Sequence, residues 1–332
     1  MRVLFAGSPA IAVPALEALL AMGGASGEGM VVAGLLTNPD SLKGRSAGRS
    51  AANAANGKPE PTECAAAVQR LSPPPHGAVP ILKPERLDSA AREQAAALRP
   101  DLLVSFAYGK IFGPKFLALF PQGGINVHPS LLPKYRGPTP IPAAIINREA
   151  ETGITIQRLA PEMDSGDILA QEAVPLNGRE TTASLSETMA KKAAALLPAV
   201  LCGIAAGAVQ AQPQDHGAAS YCSLIAKEDG AIDWRRSAVE IDARIRAFTP
   251  WPLSFAMHGG LPLCILKAEA LEGHVAAAVP GQVLGKDQNK GILIQTGEGI
   301  LAVSELQYWT KKALGWKAFL NGARNFIGAR LG

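Results

Sequence analysis

The stretch Arg2-Val3-Leu4-Phe5-Ala6-Gly7-Ser8-Pro9 is a run of apolar residues that ends abruptly in turn formers. A short apolar run closed by Gly, Ser and Pro reads as a buried strand over residues 2–6. Pro14 then suits the first position of a helix running to Met22, where its missing N–H costs nothing. Apolar runs bounded by turn residues recur at 31–36, 102–107, 124–127, 153–159 and 168–175. Helical patterns fall between the earlier ones, at 89–98, 114–118 and 142–147, and a long helix covers 183–204. Apolar strands alternating with helices predict an α/β fold built on a doubly wound, mainly parallel sheet. The opening residues imitate a secretory leader, but Gly7, Pro9, Pro14 and Glu17 interrupt the apolar core a leader needs.

A chain of 332 residues exceeds the roughly 150 expected per domain, so two domains are predicted. Residues 1–204 form the first, 205–230 a linker without strong periodicity, and 231–332 the second. The second begins with a helix at 238–247, followed by strand-like runs at 254–257, 263–271, 281–285, 292–296 and 300–306. Five closely spaced strands suggest a small β-barrel, the architecture of oligonucleotide-binding (OB) folds. A basic helix near 316–327 follows.

With 48 % hydrophobic and 18 % charged residues, general disorder is excluded. No apolar run approaches the roughly 18 residues of a membrane span. Cys64, Cys202, Cys222 and Cys264 are scattered without metal-ligand spacing. Free thiols in a reducing cytoplasm are the simplest reading. The first turn is not a G-x-G-x-x-G fingerprint and no P-loop occurs, so nicotinamide and ATP readings lose their usual support.

The net charge of +4 lies wholly in residues 231–332, which hold 12 Lys/Arg against 8 Asp/Glu. After Glu305 come Lys311, Lys312, Lys317, Arg324 and Arg330 with no acidic residue. Such asymmetry fits a polyanionic partner, with a merely solvated tail as the alternative. Residues 38–80 contain Lys43, Arg45, Arg49 and Lys58 among Pro and Gly, and read either as a basic flap or as a disordered insertion.

The stretch that carries chemistry is Asn126-Val127-His128-Pro129-Ser130-Leu131-Leu132-Pro133. Residues two apart on a strand share a face, so Asn126 and His128 project together near a strand's carboxyl end, where ligands bind in such sheets. An amide and an imidazole side by side can donate two hydrogen bonds to one oxygen, forming an oxyanion hole of side chains. Glu162-Met163-Asp164-Ser165-Gly166-Asp167 follows the next strand, and a carboxylate from it can orient the imidazole and handle protons. On the bland alternative, the amide and imidazole satisfy backbone groups and the acids shape a turn.

These residues resemble the methionyl-tRNA formyltransferase family along essentially the whole chain. The resemblance is carried by Phe5-Ala6-Gly7-Ser8-Pro9, Asn38-Pro39-Asp40, Ala107-Tyr108-Gly109 and the stretch from Asn126 to Arg136-Gly137. Further matches are Glu151-Thr152-Gly153, Met163-Asp164-Ser165-Gly166-Asp167, Ile232-Asp233-Trp234 and the run from Arg246 to Pro252. The Asn-x-His, Ser-Leu-Leu-Pro and Asp pattern is shared by other enzymes using 10-formyltetrahydrofolate, including glycinamide ribonucleotide formyltransferase, so it names a chemistry; the C-terminal matches point to tRNA.

The resemblance implies a Rossmann-like catalytic domain joined to an OB-type barrel. It implies a catalytic trio of Asn126, His128 and Asp164, and formyl-donor contacts from Ser130, Leu131, Leu132 and Pro133. It also implies 10-formyltetrahydrofolate as donor, no metal, methionyl initiator tRNA as acceptor, and a basic loop at 43–49 near the tRNA acceptor end. A cytoplasmic monomer with no membrane partner is expected. A related formyltransferase or formylfolate hydrolase, and a non-catalytic RNA-binding protein, are the rivals.

Overall fold

The computed structural model describes residues 1–23, 29–42, 59–71 and 78–332. The basic loop expected at 43–49 lies outside the described residues. Strand β1 (Arg2–Gly7) is central and pairs in parallel with β2 (Val31–Leu36) and β4 (Leu102–Phe106). β3 (Ile81–Leu82) extends the sheet beside β2, and β5 (Gly124–His128) extends it beside β4, both in parallel. β6 (Glu151–Arg158) and β7 (Ile168–Pro175) complete the order β3-β2-β1-β4-β5-β6-β7. These last two run antiparallel. Residues 159–167, which join them, are too short for the crossover a parallel pair needs.

The strands read as unbroken apolar runs because both faces are covered. Val3, Phe5, Leu102, Val104, Ile125 and Val127 face one core. Leu4, Ala6 and Leu103 face another, with Tyr108, Phe116 and Phe120. The first core is sealed by α1 (Val13–Met22) and α6 (Thr182–Ala205), which pack on each other, and by α2 (Glu63–Leu71) and α5 (Pro140–Ile146). α6 is long and apolar enough to cross a bilayer, yet its Leu185, Met189, Leu197 and Leu201 are buried in this core. The second core lies under α3 (Ser89–Ala97) and α4 (Pro114–Leu117). Each fully buried Leu or Phe contributes about 1.5–3 kcal/mol.

The C-terminal sheet is antiparallel, in the order β10-β11-β12-β9-β8, with β13 paired to β12. Its strands are β8 (Ser254–His258), β9 (Leu261–Leu271), β10 (Val283–Asp287), β11 (Gly291–Gln295), β12 (Ile300–Tyr308) and β13 (Leu314–Gly315). The edge strands are joined through residues 328–332. Gly332 exchanges backbone hydrogen bonds with Met257 of β8, while Val283 of β10 donates to Ala329 and accepts from Gly328. The result is a small barrel of the OB type.

α7 (Ala238–Ala247) starts in a capping box between Ser237 and Glu240. It gives Ile241 and Ile245 to the barrel core and Ala247, with the following Phe248, to the first core. α8 (Trp316–Gly322) is shorter than the helix expected to 327. The chain leaves it after Asn321-Gly322, and Phe326 turns into the barrel core.

Candidate active site

Ile125 and Val127 of β5 point into the first core, so Asn126 and His128 share the opposite face by strand alternation. The loop 159–167 brings Asp164 across to them. Asp164 has a φ of +52°, a left-handed conformation that Asp tolerates better than most residues. Gly166 is forced there, since a Cβ would sit 1.9 Å from the Arg158 carbonyl oxygen.

Asp164 is an acceptor hub. Its Oδ1 accepts from Asn126 Nδ2 at 3.2 Å and Gln157 Nε2 at 3.0 Å. Its Oδ2 accepts from Gly137 N at 2.9 Å and lies 3.6 Å from His128 Nδ1. The three predicted catalytic groups all lie in one cluster: Asn126 and Asp164 are partly exposed, and His128 is 4 % exposed.

His128 Nε2 lies 2.9 Å from the Tyr135 carbonyl oxygen. A carbonyl only accepts, so Nε2 carries the proton and the neutral ring turns an Nδ1 lone pair toward Asp164. Burial lowers the pKa of His128 from its ordinary 6.5, outweighing the opposite pull of Asp164 and the Tyr135 carbonyl. The folded ring therefore stays neutral at pH 7. Below pH 6.5 the unfolded ring takes up a proton that the folded ring refuses, so stability falls with pH until the folded pKa is reached. Replacing His128 with Asn should flatten that slope, as measured by urea unfolding above and below pH 6.5.

The Ser130-Leu131-Leu132-Pro133 segment turns through a cis Leu132-Pro133 bond. Thr155 of β6 pins it: its Oγ1 donates to Ser130 O at 2.6 Å and accepts from Leu132 N at 3.2 Å. Ser130 and Leu132 are turned inward, with Ser130 Oγ donating to Lys134 O at 2.7 Å. Leu131 and Pro133 line a cavity of about 240 Å³ with Tyr135 and Thr152.

Several residues at the site are given no role by the sequence. Gln157 sits directly opposite Asn126 in the antiparallel β5–β6 register, which no single strand reveals. Arg136 is buried at 1 % exposure and donates to Gln214 Oε1 through Nε at 3.1 Å and Nη2 at 2.7 Å. His216, which belongs to no motif, meets Arg136 Nη2 through Nδ1 at 3.0 Å. Ser220 and Cys222 exchange backbone bonds with Arg136. The segment expected to be only a linker is thus stitched along the back of the site.

A family profile described as "Formyl transferase" matches residues 1–201, and one described as "Formyl transferase, C-terminal domain" matches 224–324. The chain is 47 % identical to "Methionyl-tRNA formyltransferase" of Treponema denticola, over 98 % of each chain. It is 44 % identical to the protein of that name from Treponema pallidum, over 100 % of this chain and 99 % of that one. Its fold matches the N-formyltransferase of Helicobacter canadensis, solved with folinic acid and dTDP-3-aminofucose. That match has a TM-score of 0.62 and 20 % identity, over 91 % of this chain and 99 % of the other. The chain therefore belongs to the formyltransferase family, on the branch whose members are named methionyl-tRNA formyltransferases.

Proposed function

We propose that this enzyme transfers the formyl group of 10-formyltetrahydrofolate to the α-amino group of methionyl initiator tRNA. The observation that carries the reading is the meeting of Asn126, His128 and Asp164 at the carboxyl end of β5. The amine attacks the formyl carbon, forming a C–N bond and a tetrahedral oxyanion. One Nδ2 hydrogen of Asn126 is held by Asp164, and the second is available to that oxygen. His128 Nδ1 takes the proton released by the attacking nitrogen. The resulting imidazolium, 3.6 Å from Asp164, becomes a second donor to the oxyanion. It then returns the proton to folate N10 as the N10–C bond breaks, leaving tetrahydrofolate and the formylated amine. Asp164 assists by favouring the charged ring and fixing Asn126. These steps call on no metal ion.

The Ser130-Leu131-Leu132-Pro133 segment is assigned to the formyl donor, with Leu131 and Pro133 its more accessible members. Residues 1–204 form the catalytic domain, 205–230 the connection and 231–332 the tRNA-binding barrel, in a monomer working in the cytoplasm. Lys311, Lys312, Lys317, Arg324 and Arg330 are all exposed, and none forms an ion pair among the described residues.

The direct test is a mass gain of one formyl group on methionine when methionyl initiator tRNA and the folate donor are supplied. Free amino sugars and glycinamide ribonucleotide should not compete. A preference for either over the charged tRNA would overturn the assignment of acceptor. Changing Lys311, Lys312 and Lys317 together to Gln should weaken tRNA binding. It should also reduce the slope of log affinity against log salt by about 0.7–0.9 for each phosphate that is no longer neutralised. Removing residues 231–332 is a poorer test, because it strips Ala247 and Phe248 from the first core.

A further inference from the structure

The polar cluster behind Asp164 turns on Gln214, a residue from the segment between the two domains. Gln214 is 5 % exposed. Its Oε1 receives two N–H groups of Arg136. Its Nε2 donates to Asp164 O at 2.9 Å, Gly166 O at 2.7 Å and Gln157 Oε1 at 3.1 Å. The amide has only one workable orientation. Flipped, its NH2 would face the guanidinium donors and its oxygen would face two carbonyls.

We infer that Gln214 is a positioning residue for formyl transfer, holding the backbone on both sides of Ser165 so that the Asp164 carboxylate stays in place against Asn126 and His128. Three observations support this. The loop carrying Asp164 is bonded through its own backbone carbonyls to Gln214, on either side of Ser165. Gln157, which Gln214 orients, donates its own N–H to Asp164 Oδ1. Arg136, which anchors Gln214, precedes Gly137, whose N–H holds Asp164 Oδ2. Arg136 is buried and forms no ion pair with a carboxylate among the described residues. Its Nη1 meets the Tyr221 hydroxyl and its Nη2 also meets His216, while two of its N–H groups polarise the Gln214 amide. Polarisation of this kind strengthens the next bonds in a chain. The connection between the domains thereby supplies part of the frame on which the carboxylate rests.

This inference rests on the formyl-transfer reading. Misplacing a reacting group by about 1 Å can cost on the order of a hundredfold in rate. Gln214→Leu should lower kcat by about 30- to 100-fold, with both KM values within about twofold of wild type. Gln214→Glu keeps the acceptors facing Arg136 and removes the donors facing the loop. It should fold and lose as much kcat as the Leu variant. In an Asp164→Asn background, either substitution should lower kcat by less than about threefold, because the group it positions is gone. The inference is overturned if Gln214→Glu keeps wild-type kcat, or if the loss recurs undiminished in the Asp164→Asn background. Wild-type protein that formylates no methionyl-tRNA would instead sink the proposed function and leave this pattern aside. Should the Leu variant fail to fold, the Glu variant and its double mutant decide.

Discussion

His128→Ala should slow formyl transfer by about 10³–10⁴-fold while leaving the KM for the folate donor within about threefold. The size follows from the two roles the ring is given. With Nε2–H held by the Tyr135 carbonyl, the neutral ring offers Nδ1 as the base for the attacking nitrogen. General acid–base help of this kind contributes about 10²–10⁴-fold. Once protonated, Nδ1 joins Asn126 in holding the oxyanion, and loss of one such donor costs about 10²–10³-fold. The two roles belong to one proton cycle, so their factors do not multiply. Asn126→Ala, which removes only an oxyanion donor, should lose about 10²–10³-fold. His128→Asn separates the roles, since an amide donates but is a negligible base; it should be as slow as Ala. Single-turnover formylation of methionyl-tRNA, with folding followed by thermal melts, measures all three. Near-normal turnover in His128→Ala would remove the imidazole from the mechanism.

How much of this is legible in the sequence depends on how local each signal is. β1, β2, β4 and β5 were legible because both faces are covered, which makes the runs apolar throughout and bounds them with turn residues. Apolar runs carry no direction, so the reversal of β6 against both of its neighbours, β5 and β7, was hidden. β3 escaped because two residues make no period. α8 ended early because burial of Phe326 in the barrel core overrode a helical pattern. At the site, strand alternation was enough to pair Asn126 with His128. By residue type alone Glu162, Asp164 and Asp167 are equivalent acids, and the family resemblance singles out Asp164; in the structure Asp164, with its left-handed backbone, is the one that reaches Asn126 and His128. Gln157 depends on the register of two strands. Gln214 and Arg136 depend on where an aperiodic segment returns to the sheet. Interactions fixed by tertiary closure leave no periodic trace.

Asp164→Asn should be nearly as damaging as loss of the ring, about 10³-fold or more in kcat, although the side chain keeps its shape. The reason lies in the direction of the surrounding hydrogen bonds. Asn126 and Gln157 both donate to Oδ1, and Gly137 N–H donates to Oδ2. An amide supplies one oxygen and one NH2, so in either orientation its NH2 confronts at least one donor. With the oxygen at the Oδ1 position, the NH2 opposes Gly137 N–H and also presents a donor to His128 Nδ1, occupying the lone pair that must take the proton. With the oxygen at the Oδ2 position, Asn126 and Gln157 lose their shared acceptor, and Asn126 is free to turn away from the oxyanion. Either outcome also removes the negative charge that favours the imidazolium. Asp164→Glu preserves the charge but lengthens the chain on a loop where Gly166 already sits against the Arg158 carbonyl. It should therefore recover only a small part of the loss. The two substitutions should differ in pH dependence, measured as kcat across the acid limb. The Glu variant keeps a carboxylate to support the protonated ring, whereas in the Asn variant the proton-accepting step loses its counter-charge at every pH. An Asp164→Asn enzyme within tenfold of wild type would show that neither the charge nor the direction of these bonds matters to transfer.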